Sequence, residues 1–219
     1  MPRDSVAAPP AGLYPVIFKR LSDVAVAGLL IIILSPLMVL IACVIRIGLG
    51  SPVIFVDERA GKAGRPFRLV KFRSMTNALD PSGRLLPDAQ RLGWLGRFLR
   101  RTSLDELPQL FNVLVGHMSM IGPRPLPTRY IPRYSPRQSM RLLVRPGLSG
   151  WAQIHGRNAL DWPSRLELDA QYVEILGRWY APLVDLWIGV VTAFQIVYQS
   201  LTGRGVAAPG SVTMNEFEG

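Results

Sequence analysis

The 219-residue sequence predicts an α/β chain of the α+β kind, mostly helical and attached to a membrane, with one small β-hairpin. Three observations carry this expectation. Val24 to Ile45 is a run of 22 residues without a formal charge, two short β-prone runs follow it, and the last third returns to helical patterns, one of them strongly apolar. The length suits a single domain with its own core rather than two.

Residues 1 to 15, with four prolines, read as a disordered leader. At about 1.5 Å per residue the uncharged run is long enough to cross a hydrocarbon core of about 30 Å. It is too long for a signal peptide, and no small-residue cleavage pattern follows it. Lys19 and Arg20 flank one end and Arg46 the other, so the preference of basic residues for the cytoplasmic side pulls on both. Ser35-Pro36 falls at the middle, where proline removes an intrahelical hydrogen bond and a neighbouring hydroxyl can satisfy the freed carbonyl. Two readings stand: a kinked spanning helix, and a re-entrant helix that turns at Ser35-Pro36 and leaves on the side it entered. Asp23 lies near the headgroups, where a charge costs little.

Val53 to Val56 and Phe67 to Phe72 read as two strands joined by the Gly/Lys/Arg-rich turn at 60–66. Asn77 to Pro87, with Asp-Pro-Ser-Gly, is a surface loop, and Ala89 to Arg100 has helical spacing. Five prolines between Pro123 and Pro136 exclude a long helix there. Leu166 to Gly177 is a helix. Ala181 to Leu201 is a second, strongly apolar one, whose lone Asp185 and the nearby Trp179, Tyr180 and Trp187 favour the membrane interface.

A net charge of +10 and a pI near 10.6 point to an anionic partner. With 22 Arg against 3 Lys, the basic groups suit bidentate contacts to phosphate or carboxylate. Nucleic acid is a poor fit, because no binding module is visible and the arginines are spread rather than striped. Cys43 is the single cysteine, which excludes a disulfide framework and a thiolate metal site. His117 and His155 have no obvious local partners and read as structural.

The chemistry concentrates at Asp105-Glu106, an acidic pair preceded by Arg97, Arg100 and Arg101 and followed by Arg124. Ser103 to Glu106 matches the Ser-x-x-Glu capping box, which alone would make these helix-start residues. It leaves the arginines unexplained, since cations at the positive end of a helix are unfavourable unless an anion binds there too. In such a field Asp105 is suited to ligating a hard cation such as Mg²⁺ or to attacking phosphorus, with Glu106 supporting it. Prolines on both sides of Arg124, in Gly122-Pro123-Arg124-Pro125, restrict its backbone and preorganise a phosphate grip. Arg145-Pro146-Gly147 and Gly156-Arg157-Asn158 are further basic clusters.

Taken in order, Lys19-Arg20, Ser35-Pro36, Lys71-Phe72-Arg73-Ser74-Met75, Ser103-Leu104-Asp105-Glu106-Leu107, Asn112-Val113-Leu114, Gly122-Pro123-Arg124-Pro125, Arg145 to Gln153 and Gly156-Arg157-Asn158 resemble the monotopic phosphoglycosyl transferases. These are the bacterial sugar transferases that begin glycan assembly on a polyprenyl carrier, and the length resembles the small, PglC-like members that consist of the catalytic core alone. His117 and His155 depart from the pattern.

The resemblance implies a re-entrant hairpin at 16–48 broken at Ser35 and Pro36, a catalytic core at 49–205 ringed by amphipathic interfacial helices, and a tail at 206–219 that closes on the core. It implies that Asp105 attacks the β-phosphate of a UDP-sugar, often an N-acetylated amino sugar, releases UMP, and passes the phosphosugar to undecaprenyl phosphate. It further implies Mg²⁺ at Asp105; Lys71, Arg100, Pro123 and Arg124 at the phosphates; Arg145 and Arg157 at nucleotide or carrier; and a place on the cytoplasmic face of the bacterial inner membrane. Homodimer formation is left open. Two competitors remain: a non-catalytic, membrane-anchored lipid-binding adaptor, and a phosphatase using the same aspartate with water as acceptor.

Overall fold

The computed structural model describes residues 8–156, 160–202 and 217–218. A π-helical turn, Tyr14–Phe18, runs directly into the long helix α1 (Lys19–Gly48) with Pro36 inside it. Pro36 has no N–H to give the Ile32 carbonyl one turn back, and the Ser35 hydroxyl donates to that carbonyl instead, at 2.9 Å. The two halves of α1 pack on different parts of one globular body. Ala27, Leu30 and Ile31 meet Phe67, Leu69, Leu110, Val113 and Met118, whereas Met38, Ile41, Ala42 and Ile45 meet Phe72, Leu95 and Leu99. Between them Ser35, Pro36 and Leu37 face outward.

The hairpin forms from β1 (Ile54–Ala60) and β2 (Pro66–Phe72), antiparallel and in register from Ile54↔Phe72 to Ala60↔Pro66. Asn112 pins this sheet to the next helix: its side-chain oxygen accepts from the Val70 amide at 3.0 Å and its amide donates to the Arg68 carbonyl at 2.8 Å, a surrogate for a third strand. The expected helix over 89–100 is two helices, α2 (Asp88–Arg91) and α3 (Trp94–Arg101). Gly93, in extended conformation, separates them, and Arg97 closes the break by donating to the Leu92 carbonyl.

After α4 (Gln109–Leu114) the chain forms a feature that the sequence reading missed, a parallel pair of β3 (Ser119–Ile121) and β4 (Gly147–Ser149). Strands of three residues carry too little periodicity to be seen. Their pairing depends on backbones in direct contact: a Cβ on Gly147 would stand 2.1 Å from the Gly122 nitrogen, and one on Gly150 2.1 Å from the Gly122 oxygen. The Gly122 amide donates to the Ser149 carbonyl and the Gly147 amide to the Pro123 carbonyl. Thus two motifs far apart in sequence are one structural unit.

Between β3 and β4 the proline-rich stretch lies along β1, with the Ala60 amide on the Leu126 carbonyl, and then forms short turns, among them α5 (Pro136–Ser139). The helices α6 (Trp151–Ile154), α7 (Trp162–Leu176) and α8 (Ala181–Thr202) follow. α7 begins earlier than its apolar spacing suggests, because Asp161 caps it by accepting from the Ser164 amide. Phe217 is buried against Tyr130, Tyr134 and Trp162, and its carbonyl accepts from Arg133.

Tyr14–Gly48 and Ala181–Thr202 are long and apolar enough to cross a membrane. In α8, however, one side packs on the protein through Ala181, Asp185 and Ile188, while Leu183, Leu186, Val190, Phe194, Val197 and Leu201 face outward. That two-sided pattern suits a helix lying in the interface. Asp185 is a junction rather than an interruption: it accepts from Lys19 and from the hydroxyls of Tyr14 and Tyr172, each at 2.6 Å. Replacing Asp185 by Ala leaves Lys19 buried without its counter-charge, which costs about 3–5 kcal/mol. The expected outcome is a large drop in the melting temperature of the detergent-solubilised protein.

Candidate active site

Asp105 and Glu106 sit on a 3₁₀ turn, Leu104–Glu106, reached from α3 through Ser103 in the left-handed conformation (φ 56°). The capping box does not form, since Ser103 makes no side-chain cap, and the helix that follows has only six residues. The arginines nearby are explained not by a helix end but by the carboxylates themselves. Leu104 and Leu107 pack on the apolar cluster of Ile41, Ile45, Phe72, Leu95 and Leu99, which seats the acidic turn against β2 and α3 in the core that the second half of α1 shares.

Three cations come to this turn from three separate elements. Lys71 is supplied by β2, its ammonium 5.2 Å from the Phe55 ring centroid. Arg100 comes from the last turn of α3 and donates through Nε to the Ser74 hydroxyl at 3.0 Å. α3 gets this close because Gly96 has no Cβ; one there would lie 1.8 Å from the Ser74 carbonyl. Arg124, on the segment after β3, pairs with Glu106 at 2.5 Å while its side chain stays 45% exposed. Pro123, also expected here, is buried in the contact with Gly147.

Asp105 itself is only 6% exposed. Burial, and then the Glu106 charge beside it, push its carboxyl up to about 7, while Lys71, Arg100 and Arg124 pull it down. Burial likewise lowers Lys71, against the pull of Asp105. The result is a carboxylate kept short of water, with cations around it, on a turn that leaves Arg124 open to solvent. Such a group is poised for a ligand that brings phosphate oxygens to the arginines.

Arg145 is not among these cations. Its Nε donates to the Gly116 carbonyl at 2.9 Å, beyond the far end of α4, where Arg20 also holds the Val113 and Leu114 carbonyls. Its role here is to tie the loop after α4. Arg157 lies outside the described residues. His117 packs on the Phe67 ring and His155 on Trp151, in agreement with structural roles.

Sequence reasoning passed over several residues that hold the site. Arg73 is buried and donates to the Leu49 and Ser51 carbonyls, closing the end of α1 beside the site. Ser74 receives Arg100. Arg141, Asp169 and Arg165 are buried below Arg124. Arg165 is lowered to about 10, first by burial and next by the Arg124 charge, with Asp169 opposing. Only the motif Lys71-Phe72-Arg73-Ser74 could have signalled the first two.

Among the described residues no group of three or more His, Cys, Asp or Glu side chains converges as a ready-made metal cage. The adjacent carboxylates Asp105 and Glu106 instead match the usual demand of Mg²⁺, one or two carboxylates with the remainder supplied by substrate phosphates and water.

The model of the family described as bacterial sugar transferase matches residues 14–199. The chain is 43% identical over 203 residues to a protein of Bacillus subtilis described as an uncharacterized sugar transferase, EpsL, covering 93% of this chain and 96% of that one. It is 37% identical over 202 residues to the UDP-N-acetylgalactosamine-undecaprenyl-phosphate N-acetylgalactosaminephosphotransferase of Aeromonas hydrophila, and 38% over 186 residues to the UDP-glucose:undecaprenyl-phosphate glucose-1-phosphate transferase of Klebsiella pneumoniae. Those alignments take in 90% and 82% of this chain but only 46% and 40% of these two longer relatives. With the acidic turn, its cations and the membrane helix in the order that the motifs set out, the chain belongs to the bacterial sugar transferase family of phosphoglycosyl transferases.

Proposed function

We propose that this protein transfers a phosphosugar from a UDP-sugar to undecaprenyl phosphate, with Asp105 as nucleophile. The observation that carries the proposal is the desolvated Asp105 carboxylate facing Lys71, Arg100 and Arg124. Its relatives' names supply the donor and acceptor classes. A carboxylate oxygen of Asp105 attacks the β-phosphorus, the bond from that phosphorus to the bridging oxygen breaks, and UMP leaves. The phosphosugar then rests on Asp105 as an acyl phosphate. An oxygen of undecaprenyl phosphate attacks the same phosphorus, the bond to Asp105 breaks, and the polyprenyl diphosphosugar departs with the carboxylate restored.

In this reading the cations stabilise charge on the phosphate oxygens in both steps, and Glu106 orients Arg124 through their 2.5 Å pair. Bound Mg²⁺, held by Asp105 with Glu106 adjacent, would neutralise diphosphate charge. The donor class follows the relatives no further than UDP-glucose or UDP-N-acetylgalactosamine.

The same reading favours the re-entrant course of α1 on the cytoplasmic face of the inner membrane. Both ends of the helix are fastened to one globular body: Lys19 to Asp185 and Arg20 to the end of α4 at the start, Ile45 to Phe72 and Leu99 at the finish. A straight crossing would have to leave that body on one side only. In this reading the Ser35-Pro36 stretch, which lies inside the continuous helix, is embedded in one leaflet, and Asp105 is held at the depth of the acceptor's phosphate.

Purified protein with UDP-glucose or UDP-N-acetylgalactosamine, Mg²⁺ and undecaprenyl phosphate is expected to release UMP and form sugar-loaded lipid, and Asp105→Asn to lose both by several orders of magnitude. Lipid binding without turnover would favour the adaptor, and free sugar phosphate the phosphatase. In metal-free buffer the Asp105 carboxyl carbon, followed by NMR, is expected to titrate near pH 7. Glu106→Gln removes a raising charge and lowers the midpoint, as does added Mg²⁺, which competes with the proton; indifference to Mg²⁺ would take the ion away from Asp105. With Cys43 replaced by Ser, Leu13→Cys and Ile47→Cys should both be shielded from an impermeant maleimide outside intact spheroplasts. Labelling of either one from outside rules out the re-entrant course.

A further inference from the structure

Arg141 has no part in the chemistry described so far, yet it is 5% exposed and makes three separate contacts. It stands on the 3₁₀ turn Met140–Leu143 ahead of β4. One terminal guanidinium nitrogen lies 3.1 Å from the Asp169 carboxylate of α7 and also donates to the backbone carbonyl of Arg124, and the other donates to the Tyr134 hydroxyl at 3.0 Å. Asp169 is 1% exposed, and Tyr134 is in turn packed against Phe217.

A buried ion pair is a poor way to stabilise a fold, because well-packed apolar side chains of similar volume generally do as well or better. The Asp169 carboxyl registers this: burial pushes it up to about 6, although Arg141 and Arg165 pull it down. What an apolar pair could not supply is a charged donor for the Arg124 carbonyl. That carbonyl lies between Pro123 and Pro125, rings that leave Arg124 few backbone conformations, with Pro125 favouring the extended one. A bond to the carbonyl selects among those that remain, and with it the direction in which the side chain leaves toward Glu106.

We propose that Arg141, held by Asp169 and Tyr134, is a positioning residue that fixes the backbone of Arg124 and so aims its guanidinium at the donor diphosphate. The inference rests on the reading of Arg124 as a phosphate grip. The planar fork suits this, since one terminal nitrogen serves Asp169 and the Arg124 carbonyl while the other serves Tyr134.

The test replaces both members of the buried pair, Arg141→Met with Asp169→Leu, which removes their charges together and takes the donor from the Arg124 carbonyl, while Arg165 also loses the Asp169 charge. Melting temperature reports the fold, and UMP release from UDP-glucose or UDP-N-acetylgalactosamine reports KM and kcat. The expected result is a KM for donor raised about tenfold, the scale of one charged hydrogen bond, in a variant whose melting curve shows that it remains folded. In an Arg124→Ala background the same pair of replacements should cost nothing more.

Losses that multiply with Arg124→Ala, or an unchanged KM in the folded variant, overturn the positioning role. Should the paired variant melt early, Tyr134→Phe, which removes only the hydroxyl, carries the same cycle, with an expected rise in KM of about threefold. A wild type that releases no UMP from either donor sinks the proposed reaction instead. The cycle is then read from affinity for inorganic pyrophosphate, where coupling between Arg141 and Arg124 still supports positioning, and additivity or absence of binding by folded wild type overturns it.

Discussion

Two adjacent carboxylates withdrawn from water repel each other and lose hydration, and the structure around Asp105 and Glu106 is arranged to bear that cost. No single element could do so. Lys71 comes from the hairpin, Arg100 from α3 and Arg124 from the segment after β3, and each is held by a partner other than the acid it faces: Phe55, Ser74 and, through its carbonyl, Arg141. A cation free to swing away would leave the acids to protonate. With its cations fixed, the pair stays in a state from which a carboxylate can be drawn when an anionic ligand occupies the cations.

Holding side chains from distant segments to that tolerance requires backbones that cannot drift. The contact of Gly122 with Gly147 and Gly150 provides this on one side, since it leaves no space for even a methyl group. On the other side, Gly96 lets α3 rest on the Ser74 carbonyl. The long apolar helix takes part through the cluster that Ile41 and Ile45 form with Phe72, Leu95 and Leu99, on which Leu104 and Leu107 also pack.

The parts of this arrangement that could be read from sequence were those with a local signature. The apolar run with Ser35-Pro36, the hairpin, the proline-rich segment and the acidic pair among arginines each show themselves within a few residues. Contacts made at a distance did not. Asp185 read as a lone charge that, with the nearby aromatics, favours the membrane interface, and its partners Tyr14 and Lys19, at the other end of the chain, gave no local sign. Ser103 to Glu106 matched a capping pattern that the left-handed Ser103 does not adopt. Arg145 read as a ligand residue from its basic cluster and the family resemblance, and nothing local signalled that its Nε donates to the Gly116 carbonyl. Asp169 had no local signal at all, being one acid among several on α7.

The bond between Lys19 and Asp185 joins residues 166 positions apart, and that separation is also an interval of time. At roughly 5–20 residues per second, a ribosome that has just made Lys19 needs on the order of ten to thirty seconds to reach Asp185. For that interval the apolar first helix exists without Asp185, the carboxylate that its lysine is bonded to in the folded chain. Tyr172, the other donor from the catalytic core, arrives only shortly before Asp185 itself. The bond that fastens the start of the chain to its last helix thus closes late in synthesis, and the fold around it becomes whole only after the first helix has waited for its partner.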